Sequence, residues 1–381
     1  MRSLTPDEQA RLKLHYAVEY NTRLFHKIVE AYASPIKTWD AYTGGDARFV
    51  SLGERVKMRL REAAAAGFLD RFTEKLDQKN ISFTYPGDGR YPRLLAEIPD
   101  PPSVLYYIGK FDPDPQLSIA VVGSRRPTRY GLETARRFAC AFAQAGVLVV
   151  SGMAEGVDAA AARGALSDET CVCPTVAVLG CGVDVIYPLS NETLYRQIAE
   201  RGAVVSEFLP GAHAERHHFP IRNRVMSGMA HGTLVVEAAA RSGTSITAGY
   251  AQDQGRDVYA VPGRIGDKMS EGPNGMIARG EAKAVLSPED VFCEYAFLHA
   301  PAETQSEAQT VLLSSLSEPQ QRVCRLLKQG EFSFDEVAET LCLPLGVLNS
   351  CLTELQFLGI MKQLPGRLYA LDACRTRLKD I

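Results

Sequence analysis

The sequence is short of positive charge. Over 381 residues, 42 Lys and Arg face 45 Asp and Glu, a formal net charge of −3. A chain coated in basic groups is thereby excluded, and any nucleic-acid contact must gather its cations at one place. No uninterrupted apolar run approaches the ~18 residues of a membrane span. The N-terminus, MRSLTPDEQARLKLHYAVEY, lacks the apolar core of a secretory signal, so the expected location is cytoplasmic. Nine cysteines, at 140, 171, 173, 181, 293, 324, 342, 351 and 374, form no CxxC pair. Most lie inside apolar runs and read as reduced, buried small hydrophobes, neither a disulfide frame nor a zinc site. GxGxxG, a Walker loop, a GxSxG elbow, HExxH and a Ser-His-Asp spacing are all missing, which counts against an enzyme. What is present is ordinary globular material, 46% hydrophobic and 23% charged, long enough for two or three domains.

Four segments follow from the patterning. Residues 1–82 repeat apolar positions at helical spacing (Leu12, Tyr16, Leu24, Phe25, Ile28, Val29, Tyr32) and predict a small helical domain. Its basic stretch between Glu54 and Glu62 (Arg55, Lys57, Arg59, Arg61) reads as a solvated helix face in preference to a nucleic-acid patch. Residues 83–298 open with a Pro- and Tyr-rich stretch holding one strand, Val104–Ile108. Six apolar β-branched runs follow, at Ser118–Val122, Val147–Val150, Thr175–Leu179, Ala203–Glu207, Thr233–Val236 and Asp257–Val261. Helical patterns separate them, at about 132–145, 157–166, 191–200, 222–230 and 245–254. Strands that are apolar throughout and alternate with helices predict an α/β fold, a doubly wound, Rossmann-like parallel sheet. Residues 299–314 read as a linker. Residues 315–373 hold three helical segments (319–327, 334–341, 345–358) and two short strands flanking Pro365-Gly366, the outline of a winged helix.

In such a sheet ligands meet the carboxyl ends of the strands. Gly123, Ser124, Arg125 and Arg126 follow the first of the six strands, with Arg129 close by. A glycine, a hydroxyl, three arginines in five positions and a helix N-terminus suit phosphate; the competing reading is a solvated turn. After the second strand, SGMAEGVD offers two glycines, and Asp158 caps the helix or holds a hydroxyl. GCGVDVIYP, after the third, walls the cleft or shapes a subunit contact. Before the fifth, Arg216-His217-His218-Phe219-Pro220-Ile221-Arg222-Asn223-Arg224 interleaves cations with an aromatic ring, as single-stranded nucleic acid requires. Phe219 is as well explained as core. The histidine pair finds no carboxylate or Cys spaced to complete a metal site, so neither metal nor cofactor is expected. After the fifth strand, Ser242, Gly243 and Thr244 open a helix as a second anion cradle, and Glu237 ties down the loop.

The ordered motifs GSRRPTRYG, SGMAEGVDAAA, GCGVDVIYP, FPIRNR, VVEAAARSGTSITAGYA and DVYAVPG, with YPRLLAEIPDPPSVLYYIG before them, closely resemble the DNA-processing protein A (DprA/Smf) family over about residues 85–290. The resemblance implies a SAM-like helical N-terminal domain and a winged-helix C-terminal domain. It also implies a non-enzymatic protein that binds incoming single-stranded DNA in natural transformation and helps load the RecA recombinase. It implies homodimers formed through the Rossmann-like domain. By motif, Gly123, Ser124 and Arg125 hold phosphate and Arg216 is the basic DNA contact; Asn223, Arg224 and the Ser242–Thr244 turn complete the pocket. The chain departs from the family at Val18–Thr22, where a Gly-rich helical hairpin is common and here no glycine stands. The third C-terminal helix has no Lys, Arg or His, which favours a protein contact over duplex reading.

The alternative is an enzyme resembling nucleotide phosphoribohydrolases, on a related sheet. Their PGGxGT turn with a following Glu is absent, the turn here being Arg241-Ser242-Gly243-Thr244-Ser245. A duplex-binding regulator is a third class, against which this helix, with Glu354 and no basic residue, argues.

Overall fold

The structure, a computed structural model, describes residues 4–295 and, within 309–379, all but 313–315, 329, 331, 342, 359, 365–367 and 372–375. It divides into two compact units at residues 299 and 300.

The first unit carries a nine-stranded sheet with strands β1 Ser82–Thr84, β2 Leu105–Gly109, β3 Ser118–Val122, β4 Leu148–Ser151, β5 Thr175–Val178, β6 Ala203–Ser206, β7 Gly232–Val235, β8 Asp257–Ala260 and β9 Lys283–Ala284. Their spatial order is β1-β2-β6-β5-β4-β3-β7-β8-β9. From β6 across to β9 all neighbours are parallel, while β2 runs antiparallel to β6 and to β1. Strand residues alternate between two separate cores. Ala120, Val122, Val150 and Val235 enter one cluster, and Ile119, Val121, Val149 and Leu234 the other. Both faces being covered explains why the strands read as unbroken apolar runs. One face receives the helices His218–Gly228 and Gly243–Asp253 through Val225, Met226, Ala248 and Ala251; the opposite face receives Phe138 and Phe142 of Arg129–Gln144. From β3 the chain winds outward to β6 on one side, then returns to build β7, β8 and β9 on the other. The loops after β3 and β7 therefore part at a topological switch point, where this architecture leaves a crevice.

The N-terminal region is helical as expected, with helices Pro6–Val18, Thr22–Glu30, Pro35–Thr43, Glu54–Ala64 and Phe68–Gln78. It has a core of its own around Leu14, Phe25, Trp39 and Leu60, and shares a second cluster with the sheet through Leu12, Leu76, Tyr106 and Val183. It therefore belongs to the same compact unit as the sheet.

The second unit has helices Glu318–Leu327, Phe334–Leu341 and Leu345–Phe357, with Phe332–Ser333, Met361–Leu364 and Leu368–Leu371 in a three-stranded sheet. It closes its own core around Val323, Leu348, Leu352 and Leu355. The Pro365-Gly366 turn and linker residues 299–308 lie outside the described residues. The linker's far end differs from the expectation: Gln309–Leu312 is extended and pairs in parallel with Thr376–Lys379. Of the seven described cysteines, all free thiols, Cys181, Cys324 and Cys351 are buried. Cys140, Cys171 and Cys173 are half-buried and Cys293 is exposed, so burial of the whole set does not hold. Among the described residues no helix is long and apolar enough to cross a membrane.

Candidate functional site

A cavity of about 680 Å³ opens at the switch point. Five chain segments line it: Val122–Arg125 after β3, Ala154 and Asp158 after β4, Tyr187 after β5, Arg216–Met226 before β7, and Ala239–Thr247 after β7. Of the twelve expected site residues, Gly123, Ser124, Arg125, Arg216, Phe219, Arg222, Asn223, Ser242, Gly243 and Thr244 line it; Arg126 and Arg224 do not.

Helix geometry sorts the arginines. The sequence pattern starts this helix near residue 222, but it begins at His218, with Pro220 in the first turn where a missing N–H costs nothing. Phe219, Arg222, Asn223 and Met226 then fall on one stripe, at i, i+3, i+4 and i+7, and that stripe faces the cavity. Arg224, five residues beyond Phe219, points to another side. It is buried in an ion pair with the Glu207 carboxylate and donates from Nη1 to the Asp100 carbonyl at 2.6 Å. The expectation that Arg224 completes the pocket is corrected accordingly. Arg126 is exposed outside the cavity, and its backbone N–H donates to Ser124 Oγ at 3.0 Å.

Arg125 and Arg216 are exposed and make no ion pair among the described residues, so their charge is available to a ligand. Arg222 is different. It is buried, and its Nη1 donates to the carbonyls of Val178 and of Gly152, the latter at 2.8 Å. A Cβ on Gly152 would stand 2.3 Å from that guanidinium, so glycine is what admits it. Arg222 is thus a charged floor held by the strand ends. Facing the cavity nearby, Asp158 is pushed up by burial to about 6 against the pull of Arg222, and its Oδ2 accepts from the Ala154 N–H at 3.4 Å. Asp158 is the sole carboxylate among the lining residues described. Glu237 is not free for chemistry, because it accepts from the Thr128 backbone N–H at 2.8 Å and the Thr128 hydroxyl at 2.6 Å.

One role changes in detail. Gly123 was expected to let backbone approach a ligand, yet its Cβ position is filled by Val157 Cγ2 at 2.6 Å and the Glu237 carbonyl at 2.9 Å. Its smallness packs one loop on another, and the Ser124 N–H donates to the Glu237 carbonyl at 2.7 Å. Gly156, at φ +83°, makes the matching turn, and a Cβ there would meet the Ser124 carbonyl at 2.3 Å. The Ser242–Thr244 turn keeps its expected character. It opens the helix Gly243–Asp253 with no side-chain cap, and Ser242 Oγ is buried without a hydrogen-bond partner among the described residues. Free N–H groups, the positive helix end and an unused hydroxyl meet at one wall.

Phe219 is a wall residue. The Arg125 guanidinium lies 4.9 Å from its ring centroid, and Tyr187 is 5.6 Å away at 39°. Tyr187 was carried only by its loop; Ile246 and Thr247 were missed, although helical spacing from Gly243 places both on the same face. The histidine pair also gains a neighbour the spacing argument overlooked. Glu215, His217 and His218 bring ligand atoms within 4.8 Å of one another. However, His217 Nε2 is 2.9 Å from the Tyr20 hydroxyl, and His218 Nδ1 is 3.2 Å from the Gly180 carbonyl.

Residues 82–296 match the DNA recombination-mediator protein A family, and residues 300–367 the DprA winged helix domain. The chain is 32% identical over 333 residues to Protein Smf of Synechocystis, covering 78% of this chain and 82% of that protein. It is 40% identical over 228 residues to DNA processing protein DprA of Streptococcus pneumoniae, covering 60% of this chain and 79% of the relative. Among solved structures, the S. pneumoniae DNA processing protein A superposes with a TM-score of 0.62 at 31% identity, over 77% of this chain and 99% of that one. DNA processing protein A of Helicobacter pylori, solved for its single-stranded DNA binding mode, gives 0.52 at 27% identity, over 57% and 96%.

Proposed function

The chain belongs to the DNA recombination-mediator protein A family, the DprA/Smf proteins, and from that premise we propose that its cavity binds single-stranded DNA. The observation that carries the reading is the meeting, in one cavity, of two exposed arginines with no ion pair among the described residues, an uncapped helix N-terminus and an aromatic wall. Arg125, Arg216 and the Ser242–Thr244 turn bind phosphate; Arg222 supplies charge from beneath. Phe219 and Tyr187 offer ring faces to bases, after Arg125 turns from the Phe219 ring to a phosphate. These contacts read charge and shape, so binding is indifferent to base order. The protein acts in DNA processing during transformation and recombination without catalysing a bond change. It protects the incoming strand and hands it to the RecA recombinase as a homodimer formed through the sheet domain. Two linked pockets make affinity rise steeply once a strand spans both.

Fluorescence titration of labelled oligothymidine against a duplex of equal length tests this. The reading expects the single strand to bind more tightly, with a threshold length. Equal binding of duplex and single strand overturns it, and release of free base from a nucleoside monophosphate would support the phosphoribohydrolase alternative.

A further inference from the structure

One aromatic residue joins the helical N-terminal region to the cavity loop across 197 positions of sequence. Tyr20 stands in the three-residue connection between Pro6–Val18 and Thr22–Glu30. Its ring centroid lies 5.2 Å from that of Phe208, 5.0 Å from His218 and 5.9 Å from His217, and its hydroxyl is 2.9 Å from His217 Nε2. Phe208, fully buried, in turn lies 4.2 Å from the His218 ring. The two histidines so held sit between Arg216 and Phe219, both of which line the cavity. Residues 212–217 otherwise form neither helix nor strand. Arg216 itself is exposed, and among the described residues no ion pair fixes its side chain.

The turn that presents Tyr20 is held in an unusual shape. Glu19 has φ +54°, a conformation suited to glycine, although no glycine stands here. Such a residue persists where its surroundings over-determine it. Arg59 and Arg55 of the helix Glu54–Ala64 grip its carboxylate at 2.7 and 3.0 Å, and Arg59 Nη1 also donates to the Tyr16 carbonyl at 3.1 Å. The basic stretch of that helix thus works on this turn, two side chains from the cavity loop.

We propose that Tyr20 is a positioning residue for the cavity: from the helical region it pins His217 and His218, and so holds Arg216 and Phe219 where a bound strand meets them. This rests on the single-stranded DNA reading. Without the pin, keeping Arg216 on its phosphate would require ordering the loop at each binding event, and the contact is given up instead. Ordering one residue lowers affinity by roughly five- to thirtyfold.

The test uses the full-length protein and labelled oligothymidine, with Tyr20→Ala, Arg216→Ala and the double variant, and Tyr20→Phe as the conservative change. Tyr20→Ala is expected to weaken binding in the roughly five- to thirtyfold range and to lower the log–log salt slope by about 0.7, one phosphate contact. In the Arg216→Ala background it is expected to add little, because both changes remove the same contact. Tyr20→Phe, which keeps the rings and loses the hydroxyl, is expected to fall between. Plain destabilisation would not produce that coupling or that slope. Wild-type affinity in Tyr20→Ala, or effects of Tyr20 and Arg216 that multiply independently, overturns the proposal. Should Tyr20→Ala fail to fold, Tyr20→Phe and His217→Ala decide: weakened binding that disappears in the Arg216→Ala background supports it, and wild-type binding by both overturns it. If Arg216→Ala and Arg125→Ala both bind as wild type, the underlying DNA reading fails instead.

Discussion

Arg224→Ala separates stability from binding. Arg224 and Glu207 are 5% and 1% exposed at their side chains, and the arginine also contacts the Asp100 carbonyl. The second Glu207 oxygen, Oε1, is already buried without a partner among the described residues. Truncation therefore strands a buried carboxylate, a change that costs about 3–5 kcal/mol. At ~2–4 °C per kcal/mol for a domain of this size, Tm falls by about 6–20 °C. The pH dependence has a definite sign. Burial raises Glu207 to about 7, and Arg224 works against that rise, so its removal lifts the carboxyl further. A carboxyl whose folded pKa lies above its unfolded one loses stability as pH rises. The variant goes on losing it above the point where the wild type has finished, so its deficit widens as pH climbs through about 7. Thermal unfolding followed by circular dichroism on both sides of that pH reads the deficit, and an oligothymidine salt titration on folded protein reads the slope. An unchanged Tm together with a reduced slope would return Arg224 to the DNA contacts and refute the reasoning.

Asp158 gives a second pH signature. Its carboxyl sits at about 6 in the protein alone, and an arriving phosphate raises it further, so binding takes up protons and affinity declines as pH rises from about 6. Asp158→Asn should flatten that decline, with the loop histidines common to both proteins; identical pH profiles contradict the assignment. The winged-helix unit closes its own core and carries five Lys and Arg against seven Asp and Glu over residues 318–372, so it gains nothing from counterion release. A chain ending at residue 308 should keep oligothymidine affinity within roughly tenfold, and a larger loss, above ~1.4 kcal/mol, would place the unit on DNA.

Much of the architecture was legible because its signal is local. Unbroken β-branched runs announced strands buried on both faces, and Ser118–Val122 falls where the pattern placed it. Two-residue Lys283–Ala284 is too short to leave a period, and nothing in Gln309–Leu312 distinguishes a strand from a linker. The cavity was legible as a set of strand ends, not as a set of directions. Residues 216–224 read as one basic cluster until the helix is seen to start at His218, which divides Arg216, Arg222 and Arg224 among rim, floor and interior. Glu207, Arg224's partner, is 17 positions away, and Tyr20 lies 197 positions from His217. Pairings at that range depend on tertiary packing, which periodicity does not carry.

The central claim is that Arg125 and Arg216 each neutralise a strand phosphate in the cavity at the switch point. The direct measurement is the oligothymidine affinity of wild type, Arg125→Ala and Arg216→Ala across a salt series. The account predicts that each replacement weakens binding alike for every base sequence and lowers the log–log slope by about 0.7. Unchanged affinity and slope in both variants would contradict it.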